Sequence, residues 1–378
     1  MSRLRSIFIS DVHLGNSIGT TGHIARNLGT VIIDSPAMAE IDIIAFSGDV
    51  FDKDIFLSDD ETITILMSMR DIIKICKKWD IILLTLLGTP SHDRDQSKHF
   101  ITLNQDIGAD VRYINCLKIE HIEKFNINIL FIPDEWNGEN YQTQLEVIEL
   151  LKRHNLQKVD YVIMHGHMDY QLPKSLHLPC HDSKFYLSVV NKYISIGHDH
   201  MWSMDDTGTI LAQGSFDRLQ HGEEGPKGYW YIDADNSLDK STDQVIFKIN
   251  ENAAIFKTFD IIGLNKDQVE TLLMENVLKH YYDDKNIPLF FRVKCHKNDP
   301  NEELVLSFKK SFPLIKWTTK IVSIKDNVQL ISPVVYIPVP INTNTVLGLM
   351  QNRLTYSGID QDKIIKALNI LNEIKDNQ

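Results

Sequence analysis

"WDIILLTLLGTPSHDRDQS", Trp79–Ser97, begins as a nearly unbroken apolar run and breaks at a turn that carries Ser91, His92 and Asp93. A run this short and apolar, closed by Gly and Pro, reads as a strand buried on both faces. The same figure occurs five more times. "RSIFIS" ends in "DVHLGN", "IDIIAFS" in "GDVFDK", "INILFIP" in "DEWN", "VDYVIM" in "HGHMDY" and "YISI" in "GHDH". Stretches of helical period lie between, notably "DDETITILMSMRDIIKICKKW" and a segment near Gln142–Arg153. Strands alternating with helices predict a layered α/β domain. In such sheets ligands bind beyond the carboxyl ends of the strands. Asp and Gly are common turn residues, so any single ending has an ordinary explanation. Six endings, five with a His or a Gly-Asp pair, point to side chains converging on one place.

The chain has 378 residues and is 43% apolar, enough for two domains or one with an appendage. Its net charge of −12 argues against coating nucleic acid by charge alone, although an acidic site filled with cations still binds phosphate. The four cysteines, Cys76, Cys116, Cys180 and Cys295, lie far apart with no C-x-x-C, which suits a reducing compartment and excludes a disulfide frame. The apolar part of "MSRLRSIFIS" is too short for a secretory signal, and no run approaches the ~18 apolar residues of a membrane span. The expectation is a soluble cytoplasmic protein without membrane contact.

Near Asp233 the composition changes, and "DADNSLDKSTDQ" reads as a polar loop and a domain boundary. A β-α-β-α-β pattern follows: "AIFKTFDII", a helix with Val269, Leu272, Leu273 and Val277 on one face, "PLFFRVKCH", "NEELVLSFKKSF" and "IKWTTKIV". A Pro-containing run and a helix over Asp360–Lys375, striped by Ile364, Leu368 and Leu371, close the chain. The expected division is 1–235, 245–335 and 336–378. No repeat or low-complexity tract is present.

The strand endings supply Asp11 and His13, Asp49 and Asp52, His92 and Asp93, His165 and His167, His198 and His200. This is the inventory of a two-metal phosphoesterase, which holds cations ~3.5–4 Å apart by imidazole and carboxylate. D-x-H and H-x-H spacings put both members on one side of an extended chain. The remaining histidines lie off these endings, and ordinary surface or core roles suit them. Lys309, Lys310, Lys316 and Lys320 fit either a DNA path or a solvated face.

At these residues the sequence resembles the calcineurin-like metallophosphoesterases. "DVH", "GDVFD", "SHD", a His after "DYVIM" and "GHDH" look like that family's ordered motifs, D-x-H, G-D-x-x-D, G-N-H-[DE], H and G-H-x-H, from Ile7 to about His200. "SDVHLGN" and "AQGSFDRLQHGEEGPKGYWYID" resemble the SbcD-like DNA-repair nuclease branch, which includes bacteriophage relatives. The resemblance implies a four-layer αββα sandwich with a smaller α/β capping domain. It implies two divalent ions, Mn2+ foremost and Mg2+ as the alternative. Asp11, His13 and His200 would hold the first, Asp49 would bridge, and His165 and His198 would hold the second, with His167 a rival to His165. His92 would be the acid for the leaving oxygen, with Asp93 accepting from its other nitrogen. Asp52 would stand behind the ligands or serve only as a turn carboxylate.

This sequence departs from the family at Ser91, which stands where Asn is expected. Ser91 either hydrogen-bonds an intervening water, ligates through Oγ, or leaves the second site weak. The implied function is a DNA exonuclease and endonuclease subunit of an SbcCD-like repair and recombination complex. Its partners would be DNA, an SMC-like ATPase subunit gripped by the C-terminal helix, and a second copy of the chain. ATP use would fall to the partner, since no G-x-x-x-x-G-K-[ST] occurs here. The alternatives are a phosphoesterase of small phosphodiesters and a DNA-end-binding scaffold with a weakened second metal site.

Overall fold

The computed structural model describes residues 3–16, 18, 21–56, 58, 60–134, 140–173, 178–235, 237–281 and 287–322. The helix expected over Asp360–Lys375 and the Pro-containing run before it lie outside them. In chain order the strands are β1 (Leu4–Ile9), β2 (Ile43–Phe46), β3 (Ile82–Leu86), β4 (Val111–Ile114), β5 (Lys118–Ile122), β6 (Ile127–Ile132), β7 (Val159–His165) and β8 (Val190–Gly197). They continue as β9 (Ser203–Met204), β10 (Ile210–Ala212), β11 (Gly228–Ala234), β12 (Gln244–Ile249), β13 (Ile255–Asp260), β14 (Leu289–Cys295) and β15 (Ile315–Ile321). The helices are α1 (Thr21–Ile32), α2 (Asp60–Trp79), α3 (Pro90–Asp93), α4 (His99–Leu103), α5 (Asn140–Arg153), α6 (Ser183–Val189), α7 (Lys266–His280) and α8 (Glu302–Ser311).

Two six-stranded sheets form the first part, ordered β12-β11-β1-β2-β3-β4 and β5-β6-β7-β8-β10-β9. β1 to β4 run parallel, as do β6, β7, β8 and β10, while the outer strands pair antiparallel. Alternation along β1 explains the layering. Ile7 and Ile9 face α1 and α2, meeting Ile24, Leu28, Met69 and Ile72. Phe8 points the other way, into a core with Ala45, Leu84, Phe131, Tyr161 and Ile163 drawn from both sheets. The far face of the second sheet packs Leu130, Val162 and Ile194 on Val147, Leu151 and Tyr186 of α5 and α6. The order is therefore helix, sheet, sheet, helix. This is the α/β sandwich, and it explains why the parallel strands read as continuous apolar runs.

The polar stretch after Asp233 is a hairpin loop. Beyond 235 the chain returns as β12 on β11, so the first sheet extends to Ile249. The third sheet, β13-β14-β15, is all parallel. α7 and α8 cover one face of it through Val269, Leu273, Val277, Val305 and Phe308. α7 starts with a capping box in which Asn265 and Gln268 satisfy each other's backbone N–H. Among the described residues no helix is long and apolar enough to cross a membrane.

Candidate metal centre

The parallel strands of both sheets end on one side of the sandwich, and their following residues meet there. Asp11 and His13 follow β1, Asp49 follows β2, His165 ends β7, and His198 and His200 follow β8. Three groups of His and Asp among the described residues have donor atoms close enough to hold a metal ion.

The first group is Asp11, His13 and His200. Asp11 Oδ1 lies 3.9 Å from the Nε2 of each histidine, and the two Nε2 atoms are 3.2 Å apart. His13 Nδ1 sits 3.0 Å from Asp52 Oδ1, and His200 Nδ1 sits 2.9 Å from Glu223 Oε1. Each Nδ1–H donates to its carboxylate, which leaves each Nε2 a lone pair. Two lone pairs therefore face each other beside a buried carboxylate oxygen, Asp11 Oδ1, that has no hydrogen-bond partner. Such an arrangement is repulsive unless positive charge sits within it. His13 responds in that direction. Burial lowers its pKa, but Asp52, Asp11 and Asp49 outweigh burial and raise it.

The second group is Asp49, His165 and His198. His165 Nδ1–H donates to the Ser47 carbonyl at 2.7 Å, which turns Nε2 toward Asp49 Oδ1 at 3.4 Å. Asp49 Oδ2 is also 3.8 Å from His13 Nε2, so this one carboxylate faces both groups. Burial works against the charges here, but the Asp49–His165 pair overrides it. The Asp49 carboxyl is held well below the usual range, and the His165 imidazole is pushed up to about 10. His198 goes the other way, lowered to about 3 by burial and then by the charges of His165 and His167.

The third group, His13, Asp52 and His92, is made of supporting contacts. Asp52 holds the His13 ring, and its backbone carbonyl lies 3.0 Å from His92 Nδ1. His92 stands half-exposed beside His13, ring centroids 5.0 Å apart. The expected His92–Asp93 bond is absent. Asp93 is fully buried, and its carboxylate accepts from the N–H groups of Asp49 at 3.0 Å, Phe51 at 2.9 Å and Gly88 at 2.8 Å. It clamps the two loops that carry Asp49 and Thr89, and the Asp52 carbonyl takes the tautomer-fixing place at His92. Burial, with the Asp49 charge beside it, pushes the Asp93 carboxyl up to about 7 despite its three donors.

Ser91, expected at the second site, points away from it. It is exposed, and its carbonyl accepts from Arg94 at 3.1 Å. Pro90 begins α3 immediately after Thr89, so the helical turn carries Ser91 outward and leaves Thr89 facing the site. Thr89 Oγ1 is 3.2 Å from Asp49 Oδ2, 3.3 Å from His198 Nδ1 and 3.5 Å from His165 Nε2. His167 belongs to no group. Its ring packs edge-on against His198 at 4.3 Å.

Glu223 and Lys227 were not singled out from the sequence. Both are buried or nearly so, and Lys227 Nζ bonds Glu223 at 3.2 Å, Ser215 at 2.7 Å and the His200 carbonyl at 2.7 Å. Burial opposes the Glu223 charge, but His200 and Lys227 outweigh it and hold the carboxyl at about 2. The signal was the segment "GSFDRLQHGEEGPKG" itself, whose acid and lysine are spaced four apart.

Backbone strain concentrates here. Asp11, His13 and Asp49 have φ of 49°, 52° and 49°, and His198 has 110°, all costly for residues with a Cβ. Gly48 is at φ +96°, and a Cβ there would lie 2.2 Å from His165 Nδ1. A Cβ on Gly88 would lie 2.1 Å from the Asp49 nitrogen. The site opens into a cleft of about 430 Å³ lined by Asp49, Thr89, His92, His198, His200 and Gln220 among others.

No protein-family model and no curated protein matches the chain. Among solved structures, the crystal structure of TT1561 of Thermus thermophilus is similar over 65% of this chain and 99% of that one, at 9% identity and a TM-score of 0.38. A second solved structure is similar over the same shares of the two chains, at 10% identity and a TM-score of 0.38.

Proposed function

We propose that the chain is a two-metal phosphodiesterase of the calcineurin-like type that hydrolyses DNA, as the nuclease subunit of an SbcCD-like complex. One observation carries the metal reading: the two Nε2 atoms 3.2 Å apart beside an unpartnered, buried Asp11 oxygen. Asp11, His13 and His200 fit one ion, Asp49, His165 and His198 fit another, and Asp49 fits a shared position. Divalent ions there, Mn2+ foremost, would stabilise charge developing on phosphate and make water a nucleophile at neutral pH. His92 supplies the acid. Its Nδ1–H is held by the Asp52 carbonyl, so a proton on Nε2 is free to pass to the departing sugar oxygen.

A polymeric substrate is supported by the third sheet. Phe290, Arg292 and Lys294 of β14 alternate away from the α7–α8 core and share a face with Lys316 and Lys320 of β15. Lys316 Nζ is 3.3 Å from the carbonyl of Ile18, which lines the metal cleft, so this basic face adjoins it. Lys309 and Lys310 sit instead on α8, on the opposite side. The ATPase partner and a twofold dimer remain part of the proposal on the sequence resemblance.

The test is digestion of end-labelled duplex and single-stranded DNA in Mn2+ and in Mg2+. Wild type should cut, and His92→Ala should be slower by about 10²–10⁴-fold with metal uptake retained. Cleavage of a chromogenic diester but no DNA would favour the small-diester reading. DNA binding without cleavage in either metal would favour the scaffold.

A further inference from the structure

We infer that the Thr89 hydroxyl is the fourth donor of the second cation site and that the second ion is the more weakly held of the two. This rests on the two-metal reading above. Thr89 is the N-cap of α3, with φ −60° and ψ 124°, yet its side chain makes no capping bond. A threonine there ordinarily turns its oxygen toward the N–H groups of the first turn. Here it turns into the cleft instead.

The distances are those of a coordination shell. Donors on a tetrahedral ion with bonds near 2.0–2.1 Å lie about 3.3 Å apart, and neighbouring donors on an octahedral ion about 3.0 Å apart. Thr89 Oγ1 lies 3.2, 3.3 and 3.5 Å from Asp49 Oδ2, His198 Nδ1 and His165 Nε2, and the other Asp49 oxygen, Oδ1, lies 3.4 Å from His165 Nε2. A hydroxyl has one proton and cannot donate to all three neighbours, whereas its lone pairs can serve an ion at their centre. Threonine hydroxyls serve Mg2+ in this way in phosphate-binding loops.

The two sites differ in what stands behind their ligands. His13 and His200 are each backed by a carboxylate, Asp52 and Glu223, which raises the donor strength of the opposite nitrogen. His165 is backed by the neutral Ser47 carbonyl. Asp11 serves the first group alone, while the second has only the shared Asp49. A neutral oxygen donor in the second site also favours hard ions such as Mn2+ and Mg2+.

The experiment is Mn2+ titration of the metal-stripped full chain, followed by calorimetry and by loss of the free-ion magnetic resonance signal. Two ions should bind wild type, with dissociation constants at least about tenfold apart. Thr89→Val should weaken only the weaker site, by about tenfold or more. Thr89→Ala, which tolerates a different packing, should do the same. Thr89→Ser should stay close to wild type, and Ser91→Ala should change nothing. If the hydroxyl-less variants keep both sites at wild-type affinity, or Ser91→Ala weakens one, the Thr89 assignment fails and the two-metal reading survives. If wild type binds fewer than two ions, the two-metal reading falls, and this inference with it.

Discussion

Asp52 and Glu223 each fix one imidazole through its Nδ1, at 3.0 and 2.9 Å. Asp52→Asn and Glu223→Gln should each reduce affinity for the first ion by about 10–100-fold with less effect on the second, read by Mn2+ titration. That Asp11, His13, Asp49, His165, His198 and His200 come together was legible because their spacing shows in the chain. Thr89 was not, because Ser91 is nearer to His92 in sequence and only the helical turn begun by Pro90 removes it from the site. Asp93 was misread for a related reason. Adjacency to His92 suggested a bond, whereas three buried N–H groups claim its oxygens.

Those three bonds make Asp93 an element-scale device that joins the loop after β2 to the loop after β3. Asp93→Ala should strand the donors and cost about 3 kcal/mol or more, measured by urea unfolding of the metal-free protein. A second device is His181, which docks the segment before α6 onto β7 through the His165 carbonyl at 3.2 Å. Burial lowers its imidazole to about 4. The unfolded chain takes up this proton near pH 6.5 and the folded chain only near 4, so stability falls with acidification across that window. The stability advantage of wild type over His181→Gln should therefore shrink between pH 7 and pH 4.5. A difference constant with pH would refute the assignment. The strands most legible in the sequence are β1–β3 and β6–β8, near-continuous apolar runs buried in the sandwich, while β13–β15 show through their alternation with helices. β4, β5, β9, β10, β11 and β12 do not stand out, because they are short, exposed or without an unbroken apolar run. The loop before β12 passed for a linker because hairpin loops and linkers share a polar composition.

At the scale of the molecule, the chain to Val322 forms one compact unit. A chain ending at Val322 should fold and bind metal like the full protein, as judged by thermal unfolding and Mn2+ titration. Loss of metal binding would show that the rest of the chain completes the site. Thiol accessibility offers a second check. Burial pushes the Cys76 thiol up to about 12, while Cys116 is exposed. A thiol reagent at pH 8 should label Cys116 first and reach Cys76 only on unfolding.

The first metal group joins residues 187 positions apart, His13 and His200, one from each sheet. At about 5–20 residues per second, a ribosome needs about 10–40 s to deliver the second after the first. Until His200 arrives, the first group holds Asp11 and a single imidazole, His13, and lacks its third member. An ion at this group would thus be taken up by a finished cage of fixed spacing and not by a growing chain, for which the tightest-binding metals, copper and zinc, would compete on affinity alone.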